Sequence, residues 1–308
     1  MRGPMSYRVQ KDRRSVAEKE SPAIAITAAS GKLGHAVAKV FVRHGLSQNI
    51  RLTLRRPDKL HCEERQQFDV VAGDYEDGRS MAAAFAGIDT ALIISSMGSD
   101  ITRIRHHKIA IDAAIAAGVK RIVYTSSANA TRTGSLQWTT AHRETEKYLK
   151  QCGIPYTLLR VGTYFSNFDY LFFAATQCGR LFFPNVTVPI SLITQDDVAA
   201  AAFKVLTTRG HDNRTYEILA EDPVSMADLA KMMTRILGKH IHPAVIPVEA
   251  FVTQLKDKVP DYAAPLLGKF YTVVAEGECA HTSKDMEILT GRPPTTAWAY
   301  LNTFIKSI

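Results

Sequence analysis

The chain has 308 residues, of which 46% are hydrophobic and 22% are charged, and its formal net charge is +8. These values are ordinary for a globular protein, and the longest apolar runs are far shorter than the roughly 20 residues of a membrane span. Lysine and arginine are spread along the chain without a nucleic-acid-binding motif, so a basic surface that attracts a polyanionic cofactor explains the charge better than nucleic acid does. The scattered cysteines lack C-x-x-C spacing, which favours a reduced cytoplasmic setting and no metal site.

Residues 1–22 are polar and basic, with almost no apolar content. They lack the apolar core of a secretory signal. A transit peptide is an alternative interpretation, against which the acidic residues Glu18 and Glu20 count. We therefore expect a disordered or loosely attached extension ahead of the folded part of the chain.

The first predicted strand covers Ala23 to Thr27, which are all small or β-branched and uncharged. This composition is typical of a strand buried on both faces of a parallel sheet. A turn follows, and from Leu33 onward the apolar residues fall on one face of a predicted helix. In such a strand, turn and helix, the free N–H groups of the first helical turn can bind the pyrophosphate of a dinucleotide.

The turn departs from the dinucleotide fingerprint at one position. The fingerprint begins with glycine, whereas this chain reads Ala28-x-x-Gly31-x-x-Gly34. Alanine at the first position requires either a turn with negative φ or some strain. We expect Gly31 to let the backbone approach a pyrophosphate, and Gly34 to let the helix pack closely on the strand.

The second predicted strand, Ile50 to Leu54, ends in the arginines Arg55 and Arg56. Enzymes that use NAD usually carry an acidic residue here, which binds the ribose 2′-hydroxyl. Guanidinium groups instead suit a 2′-phosphate, which a carboxylate would repel. The pair therefore favours NADPH, with NADH as a weaker possibility; the alternative is a solvated pair of surface arginines.

Four further strands continue the alternation of strand and helix. They are predicted over residues 68–72, 90–94, 121–127 and 156–160, with helices over 78–86, 103–117 and 142–152. This rhythm predicts an α/β fold with a Rossmann-type, doubly wound parallel sheet. Ligands bind beyond the carboxyl ends of such strands, where the sequence places Ala28, Arg55, Asp74, Ser95, Ser126 and Val161.

The second half of the chain is less regular. Residues 163–308 are predicted to form a smaller, mostly helical C-terminal lobe that binds substrate, with returning segments completing the NADP-binding Rossmann domain of residues 23–162. Residues 163–183 are dense in aromatic side chains, most of which we expect in the core and a few beside the nicotinamide. Capped helix starts are predicted at Thr194 and Ser225.

Several segments occur in the order found in one family, the NmrA-like atypical short-chain dehydrogenases/reductases: ITAASGKLG, LRRPDKL, GDYEDGRSMAAAFAGID, AAGVKRIVYTSS, HRETEKYL and GIPYTLLRVGTYFSN. Over roughly residues 23–305 the chain resembles this family, and most of all its quinone reductases and triphenylmethane reductases. The resemblance implies NADPH binding and the reduction of quinones or other flat aromatic molecules.

The resemblance also implies roles for individual residues. The implied cofactor contacts are Ala28, Ser30, Gly31, Lys32, Leu33, Gly34, Arg55, Arg56, Asp74, Tyr75, Ser95, Ser96, Thr125, Ser126, His142, Val161, Gly162 and Tyr164. The implied substrate contacts are Tyr164, Asn167 and Phe168. His142 and Tyr164 are the catalytic candidates, since quinone-reductase-like members carry a histidine at the position of His142, where many relatives carry lysine.

The chain lacks the Tyr-x-x-x-Lys pair of alcohol and ketone dehydrogenases, because Tyr124 is followed four residues later by Ala128. Simple carbonyl chemistry is therefore disfavoured. Hydride transfer to a quinone needs one proton, which solvent or a side chain can supply. His142, with an ordinary pKa of about 6.5, is the candidate to give that proton or to stabilise the oxyanion. The alternative is a polar residue at a helix start that binds backbone or a cofactor ribose.

Four other histidines show no carboxylate or cysteine partner in the sequence and are expected on the surface: His106, His107, His240 and His242. Three functions remain open for the chain. The first is an NADPH-dependent reductase of a quinone or polycyclic aromatic; the second is an NADP(H)-binding redox sensor without turnover; the third is a tailoring enzyme on an aromatic polyketide. We expect a monomer or homodimer without nucleic-acid or membrane partners.

Overall fold

The computed structural model describes residues 23–60, 62–130, 139–255 and 263–308, so the predicted N-terminal extension lies outside the described residues. The strands are β1 (Ile24–Ile26), β2 (Ile50–Leu54), β3 (Asp69–Ala72), β4 (Thr90–Ile93), β5 (Arg121–Ser127), β6 (Tyr156–Val161), β7 (Thr163–Tyr164), β8 (Arg180–Phe183), β9 (Pro189–Ile190), β10 (Leu192–Ile193), β11 (Arg214–Ile218), β12 (Val224–Ser225) and β13 (His242–Val245). The helices are α1 (Lys32–Arg43), α2 (Cys62–Gln67), α3 (Gly78–Phe85), α4 (Asp100–Ala116), α5 (Thr140–Gln151), α6 (Asp169–Cys178), α7 (Gln195–Thr207), α8 (Met226–Leu237), α9 (Val248–Leu255), α10 (Ala263–Ala275), α11 (Asp285–Thr290) and α12 (Ala297–Ser307).

Seven strands form one sheet in the order β11-β6-β5-β4-β1-β2-β3. Every neighbouring pair in this sheet is parallel, so all carboxyl ends meet at one edge. The strand order reverses between β1 and β4, which makes their carboxyl ends the place where a crevice opens. The edge strand β11, which lies outside the predicted strands, returns from the second half of the chain to pair with β6.

Alternation along β1 shows how the sheet is covered on both faces. Ile24 and Ile26 pack in the cluster that contains α1 and α7, whereas Ala25 faces the cluster that contains α3, α4 and the buried side of α5. Successive side chains of a strand point to opposite faces, so three uncharged residues in a row are buried on both. The predicted doubly wound α/β fold is therefore confirmed.

The smaller lobe has its own apolar core. Side chains of α6, α8, α10 and α12 contribute to this core together with strand β8, which pairs with β13 away from the main sheet. The N-terminus of α8 carries the predicted cap, in which Ser225 and Asp228 exchange side-chain to backbone hydrogen bonds. The lobe confirms the expected helical C-terminal part, and it faces the carboxyl edge of the sheet through α10.

Helix α4 begins three residues earlier than predicted. The hydroxyl of Ser99 accepts the backbone N–H of Thr102 at 3.2 Å, so Ser99 is the N-cap and the helix starts at Asp100. Among the described helices, none combines the length and the hydrophobicity that a bilayer span requires. The described residues also contain no cluster of three or more side chains that could ligate a metal ion.

Candidate functional site

A cleft of about 750 Å³ runs along the carboxyl edge of the sheet and continues beneath the lobe. The predicted site residues that line it are Ala28, Ser30, Gly31, Lys32, Leu33, Gly34, Arg55, Asp74, Tyr75, Ser95, Ser96, Thr125, Ser126, His142, Val161, Gly162, Tyr164 and Asn167. Strand ends that are far apart in sequence thus meet in one cavity, because a parallel sheet places them at the same edge.

The turn after β1 adopts the strained backbone conformation, which is one of the two alternatives that the sequence allows for an alanine at the first position. Ala28 has φ of +49°, in the left-handed region that favours glycine. A Cβ on Gly34 would lie 2.7 Å from the carbonyl oxygen of Ala28 and 2.7 Å from Cα of Ala29, so no side chain fits there without moving backbone. Gly31 caps α1 without a side-chain hydrogen bond, which leaves the first-turn N–H groups available to an anion.

The left-handed alanine leads to a stability prediction. Ala28→Gly should raise the free energy of unfolding by about 0.5–1 kcal/mol, because a left-handed alanine costs about 1–2 kcal/mol and glycine loses part of that gain to chain entropy. Urea unfolding would measure the difference. The matched control is Ala29→Gly at a neighbouring buried residue whose φ is not positive, and it should be destabilising. A less stable Ala28→Gly protein would contradict the assigned strain.

The two arginines that follow β2 differ in their position relative to the cleft. Arg55 lines the cleft, and among the described residues it has no ion-pair partner. Arg56 is exposed and does not line the cleft, so the structure does not bring this predicted cofactor contact together with the others. Glu76, which also lines the cleft, lies 3.5 Å from Arg105 and 3.4 Å from His106, so its negative charge is partly compensated.

Tyr75 lines the cleft, but its hydroxyl is directed into the sheet. It lies within hydrogen-bonding distance of the hydroxyl of Thr27 and 2.7 Å from the carbonyl oxygen of Ile94, which ties β1 to the residue after β4. Burial raises the pKa of the Tyr75 phenol above its usual value. The side chain therefore supports the floor of the cleft and offers its ring, rather than its hydroxyl, to a ligand.

His142 lies in the first turn of α5, where both ring nitrogens have partners. Nη2 of Arg103 donates to Nε2 at 2.6 Å. Because a guanidinium cannot accept, a neutral imidazole carries its hydrogen on Nδ1 and donates it to the hydroxyl of Tyr124 at 2.9 Å. Burial, then the charge of Arg103 and the nearby His107, hold the pKa of His142 well below its usual range. These contacts disfavour His142 as the proton donor near neutral pH.

His107 is wrongly predicted as a surface residue, since its side chain is fully buried on α4. The backbone N–H of Ser96 donates to its Nε2 at 3.1 Å, so the hydrogen lies on Nδ1, which is 2.8 Å from the hydroxyl of Thr145. That hydroxyl donates to the carbonyl of Ala141 at 2.7 Å. His107 thereby joins the loop after β4 to helix α5.

The other three histidines of the predicted surface set differ among themselves. His106 is partly buried, lines the cleft, and has its Nδ1 3.2 Å from the hydroxyl of Ser96, so its surface assignment is also corrected. His240 and His242 are exposed, as predicted.

The buried imidazoles predict an acid-sensitive fold. Burial, then Arg103 and His106, lower the pKa of His107 to about 3 from about 6.5 in an unfolded chain. Between these values the unfolded chain binds more protons, so the free energy of unfolding should fall as pH decreases from 6.5 towards 3, and His142 adds in the same direction. Urea unfolding at pH 7.5 and pH 5 tests this. His107→Gln should reduce the difference between the two pH values, and the exposed His240→Gln should not change it.

Tyr164 and its neighbours form the side of the cleft nearest the lobe. Burial raises the pKa of Tyr164, so its phenol keeps its proton at neutral pH. Asn167 is exposed and lines the cleft. Phe168 was predicted to contact substrate, but it is fully buried against Phe183 and other rings of the lobe core, and we correct its role to packing. The lobe itself supplies an apolar wall that the sequence analysis did not identify: Leu267, Phe270 and Val273.

Arg103 is the main residue that sequence reasoning missed. It lines the cleft and is 8% exposed. A signal was present, because Arg103, His107, Ala110 and Ala114 follow one buried helical face of α4 at spacings of four, three and four. Charged or titratable residues on such a face need partners, which the sequence alone does not identify.

The arrangement has two chemically distinct ends. One end offers helix N–H groups, Lys32 and Arg55 to anionic groups. On the other side of the crevice, next to β4 and β5, lie Arg103, His142 and Thr125, and the lobe adds an apolar wall to the same cleft. A ligand that fits both ends is a long dinucleotide with phosphates at one end and a flat, reactive ring at the other.

Comparison with known proteins identifies relatives that use a dinucleotide cofactor. Residues 20–299 match the NmrA-like family. Quinone oxidoreductase 2 of Escherichia coli (strain K12) is 34% identical over 275 residues, which cover 89% of this chain and 95% of that protein. The structure of an NADPH-dependent quinone oxidoreductase from Escherichia coli complexed with NADPH superposes with a TM-score of 0.85 at 33% identity, covering 92% of this chain and 99% of that one.

A third similarity is to a dye reductase. The structure of Citrobacter sp. triphenylmethane reductase complexed with NADP(H) has a TM-score of 0.85 and 28% identity, and the match covers 93% of this chain and 100% of that chain. These matches extend over the sheet and the lobe alike. With a cleft at the switch point of a doubly wound sheet and a family match over almost its whole length, this chain belongs to the NmrA-like family.

Proposed function

We propose that this protein is an NADPH-dependent oxidoreductase that transfers hydride to a quinone or another flat aromatic acceptor. The observation that carries the proposal is the cleft, whose anion-binding end and apolar end are joined in one cavity of about 750 Å³. Relatives that are NADPH-dependent or complexed with NADP(H) support it.

The residues present fit the cofactor. The first-turn N–H groups of α1 and the backbone at Gly31 would hold the pyrophosphate, while Gly34 lets α1 pack closely against the turn. Arg55 would bind the 2′-phosphate, and NADH, which lacks that group, would bind more weakly. Thr53 lines the same cleft, and its buried hydroxyl has no partner among the described residues, which leaves a polar atom for a ligand.

The chain's own groups would orient the reactants rather than react covalently. Bound NADPH supplies the hydride. The apolar wall of the lobe would exclude water and hold the acceptor ring against the reactive end of the cofactor. Tyr164 would border the acceptor as a protonated phenol, and Thr125 would hold the cofactor near β5. One proton is then taken up by the reduced acceptor from solvent.

The test is NADPH oxidation, followed at 340 nm, with a panel of substituted benzoquinones and naphthoquinones, a triphenylmethane dye and an azo dye. Turnover with the flat acceptors is the expected result. NADPH binding without consumption by any acceptor would contradict the proposal and favour a redox sensor. Turnover restricted to a large polyketide-like ketone would favour a tailoring enzyme instead.

A further inference from the structure

Arg103 places a positive charge in the cleft wall without a tight carboxylate partner. Its side chain is almost buried, and the nearest carboxylate among the described residues is Asp100, with Oδ1 3.8 Å from Nη1. Asp100 is itself more than a third exposed, so water weakens the pairing. A nearly buried guanidinium with so little compensation favours the approach of an anion.

The guanidinium is held in one orientation by three hydrogen bonds. Nε donates to the carbonyl of Ser96 at 3.1 Å, and Nη2 donates to the hydroxyl of Ser95 at 3.1 Å and to Nε2 of His142 at 2.6 Å. These contacts use the hydrogens of Nε and Nη2. Nη1, with only the long contact to Asp100 among the described residues, keeps two donors for another acceptor.

The groups around Arg103 do not duplicate its charge. His142 and His107 are held neutral near pH 7, since burial and the guanidinium lower both pKa values, and burial raises the pKa of the Tyr124 phenol. The buried Glu146 of α5 is engaged by Arg160 at 2.8 Å. Of the three lysine and arginine side chains among the described cleft residues, the other two, Lys32 and Arg55, lie at the phosphate-binding end.

We propose that Arg103 is a catalytic residue which stabilises the anion formed on the acceptor, and that His142 is a neutral hydrogen-bond acceptor which orients its guanidinium. The proposal rests on the proposed reductase function. Hydride transfer from NADPH to a quinone oxidises the cofactor to NADP⁺ and gives the hydroquinone monoanion. That anion then takes one proton from solvent, so NADPH, quinone and a proton become NADP⁺ and hydroquinone. Donors aimed at the developing oxyanion stabilise it most in a site that excludes water.

A binding experiment tests the positive charge of Arg103 without requiring turnover. 4-Nitrophenol, whose anion absorbs visible light, is titrated into the protein loaded with NADP⁺ at a pH where both ionisation forms are present. We expect wild-type protein to bind the anion in preference to the neutral phenol. In Arg103→Met the ratio of the affinity for the anion to the affinity for the neutral phenol should fall at least tenfold. Arg103→Lys should keep most of the wild-type ratio. Lys108→Met, an exposed position on the same helix, is the matched control and should match wild type.

Steady-state kinetics with a simple benzoquinone gives the second readout. Arg103→Met should lower kcat by on the order of 100-fold, as for the loss of an oxyanion donor, with the Kd for NADPH changed less than threefold. The kcat of Arg103→Lys should be at least tenfold higher than that of Arg103→Met. His142→Gln, which keeps an acceptor for the guanidinium, should lower kcat by less than tenfold, and wild-type kcat should show no ionisation near pH 6.5.

The outcomes separate this proposal from the reductase assignment. If none of the acceptors supports NADPH oxidation by wild-type protein, but the protein binds the nitrophenolate anion in preference to the neutral phenol through Arg103, the reductase function fails while the charge assignment holds. If wild-type protein shows no preference for the anion, or if His142→Gln loses more kcat than Arg103→Met, the role of Arg103 is overturned. Should Arg103→Met fail to fold, the wild-type preference and the Arg103→Lys variant decide the question.

Discussion

Glu146→Ala is expected to lower the free energy of unfolding by about 3–5 kcal/mol, which is the usual effect of removing one partner of a buried ion pair. Arg160 would then keep a longer ion pair with the less buried Glu217, whose Oε1 lies 3.8 Å from Nη1. The side chains of Glu146 and Arg160 are 3% and 13% exposed. Arg160 donates from Nε and Nη2 to the two carboxylate oxygens at 2.9 and 2.8 Å. The hydroxyl of Ser126 donates to the same carboxylate at 2.7 Å.

The ion pair of Glu146 and Arg160 also connects helix α5 to the sheet. Glu146 joins α5 to Ser126 on β5 and to Arg160 on β6, and His142 lies one turn earlier on the same helix. The substitution should therefore also weaken the contact between Arg103 and His142, because α5 loses its contacts with Ser126 and Arg160 on the sheet.

Urea unfolding measures the loss, with Glu144→Ala as the control. Glu144 lies on the same helix and forms no ion pair with another described residue, so its removal should change stability by less than about 0.5 kcal/mol. The double variant Glu146→Met with Arg160→Met should be more stable than Glu146→Ala, since it leaves no buried charge unpaired. Equal stability of Glu146→Ala and Glu144→Ala would contradict the assigned role of the pair.

Arg55→Ala should weaken the binding of NADPH by about 1–3 kcal/mol and leave NADH nearly unchanged. The expected asymmetry follows from chemistry, because a charge-assisted contact to a 2′-phosphate exists for one cofactor and not for the other. Arg55 lines the cleft and has no ion-pair partner among the described residues, so its charge is available.

Isothermal titration calorimetry with both cofactors tests this prediction. The adjacent Arg56→Ala is a closely matched control, because it removes the same charge from an exposed side chain that does not line the cleft. Arg56→Ala should leave both affinities within twofold. Equal losses for NADPH and NADH in Arg55→Ala, or an equal loss in both arginine variants, would show that the 2′-phosphate is not bound by Arg55.

Patterns within short segments accounted for much of the fold. The uncharged run at β1, the glycines of the following turn and the periodicity of α1 are local features, and the structure has them within one or two residues of the predicted bounds. Helix caps behave in the same way, since Thr194 and Ser225 act on N–H groups three residues away. Local hydrogen bonds and side-chain spacing decide such elements.

Contacts between distant residues explain the corrections. His107 looked like a surface residue because its partners, Ser96 and Thr145, are 11 and 38 residues away in the sequence. Arg103 was missed for the same reason, as 39 residues separate it from His142. Phe168 follows Asn167 in sequence, yet it turns into the lobe core while Asn167 faces the cleft.

The order of strands and helices, the glycine-bearing turn and the arginine after β2 could be read from the chain, because each depends on neighbours within a few residues. The protonation of His142, the buried charge at Arg103 and the apolar wall of the lobe could not. They depend on which side chains the parallel sheet and the lobe bring within hydrogen-bonding distance, and on how much water those contacts exclude. Local pattern therefore decided where a ligand would bind, and tertiary packing decided which charges it would meet.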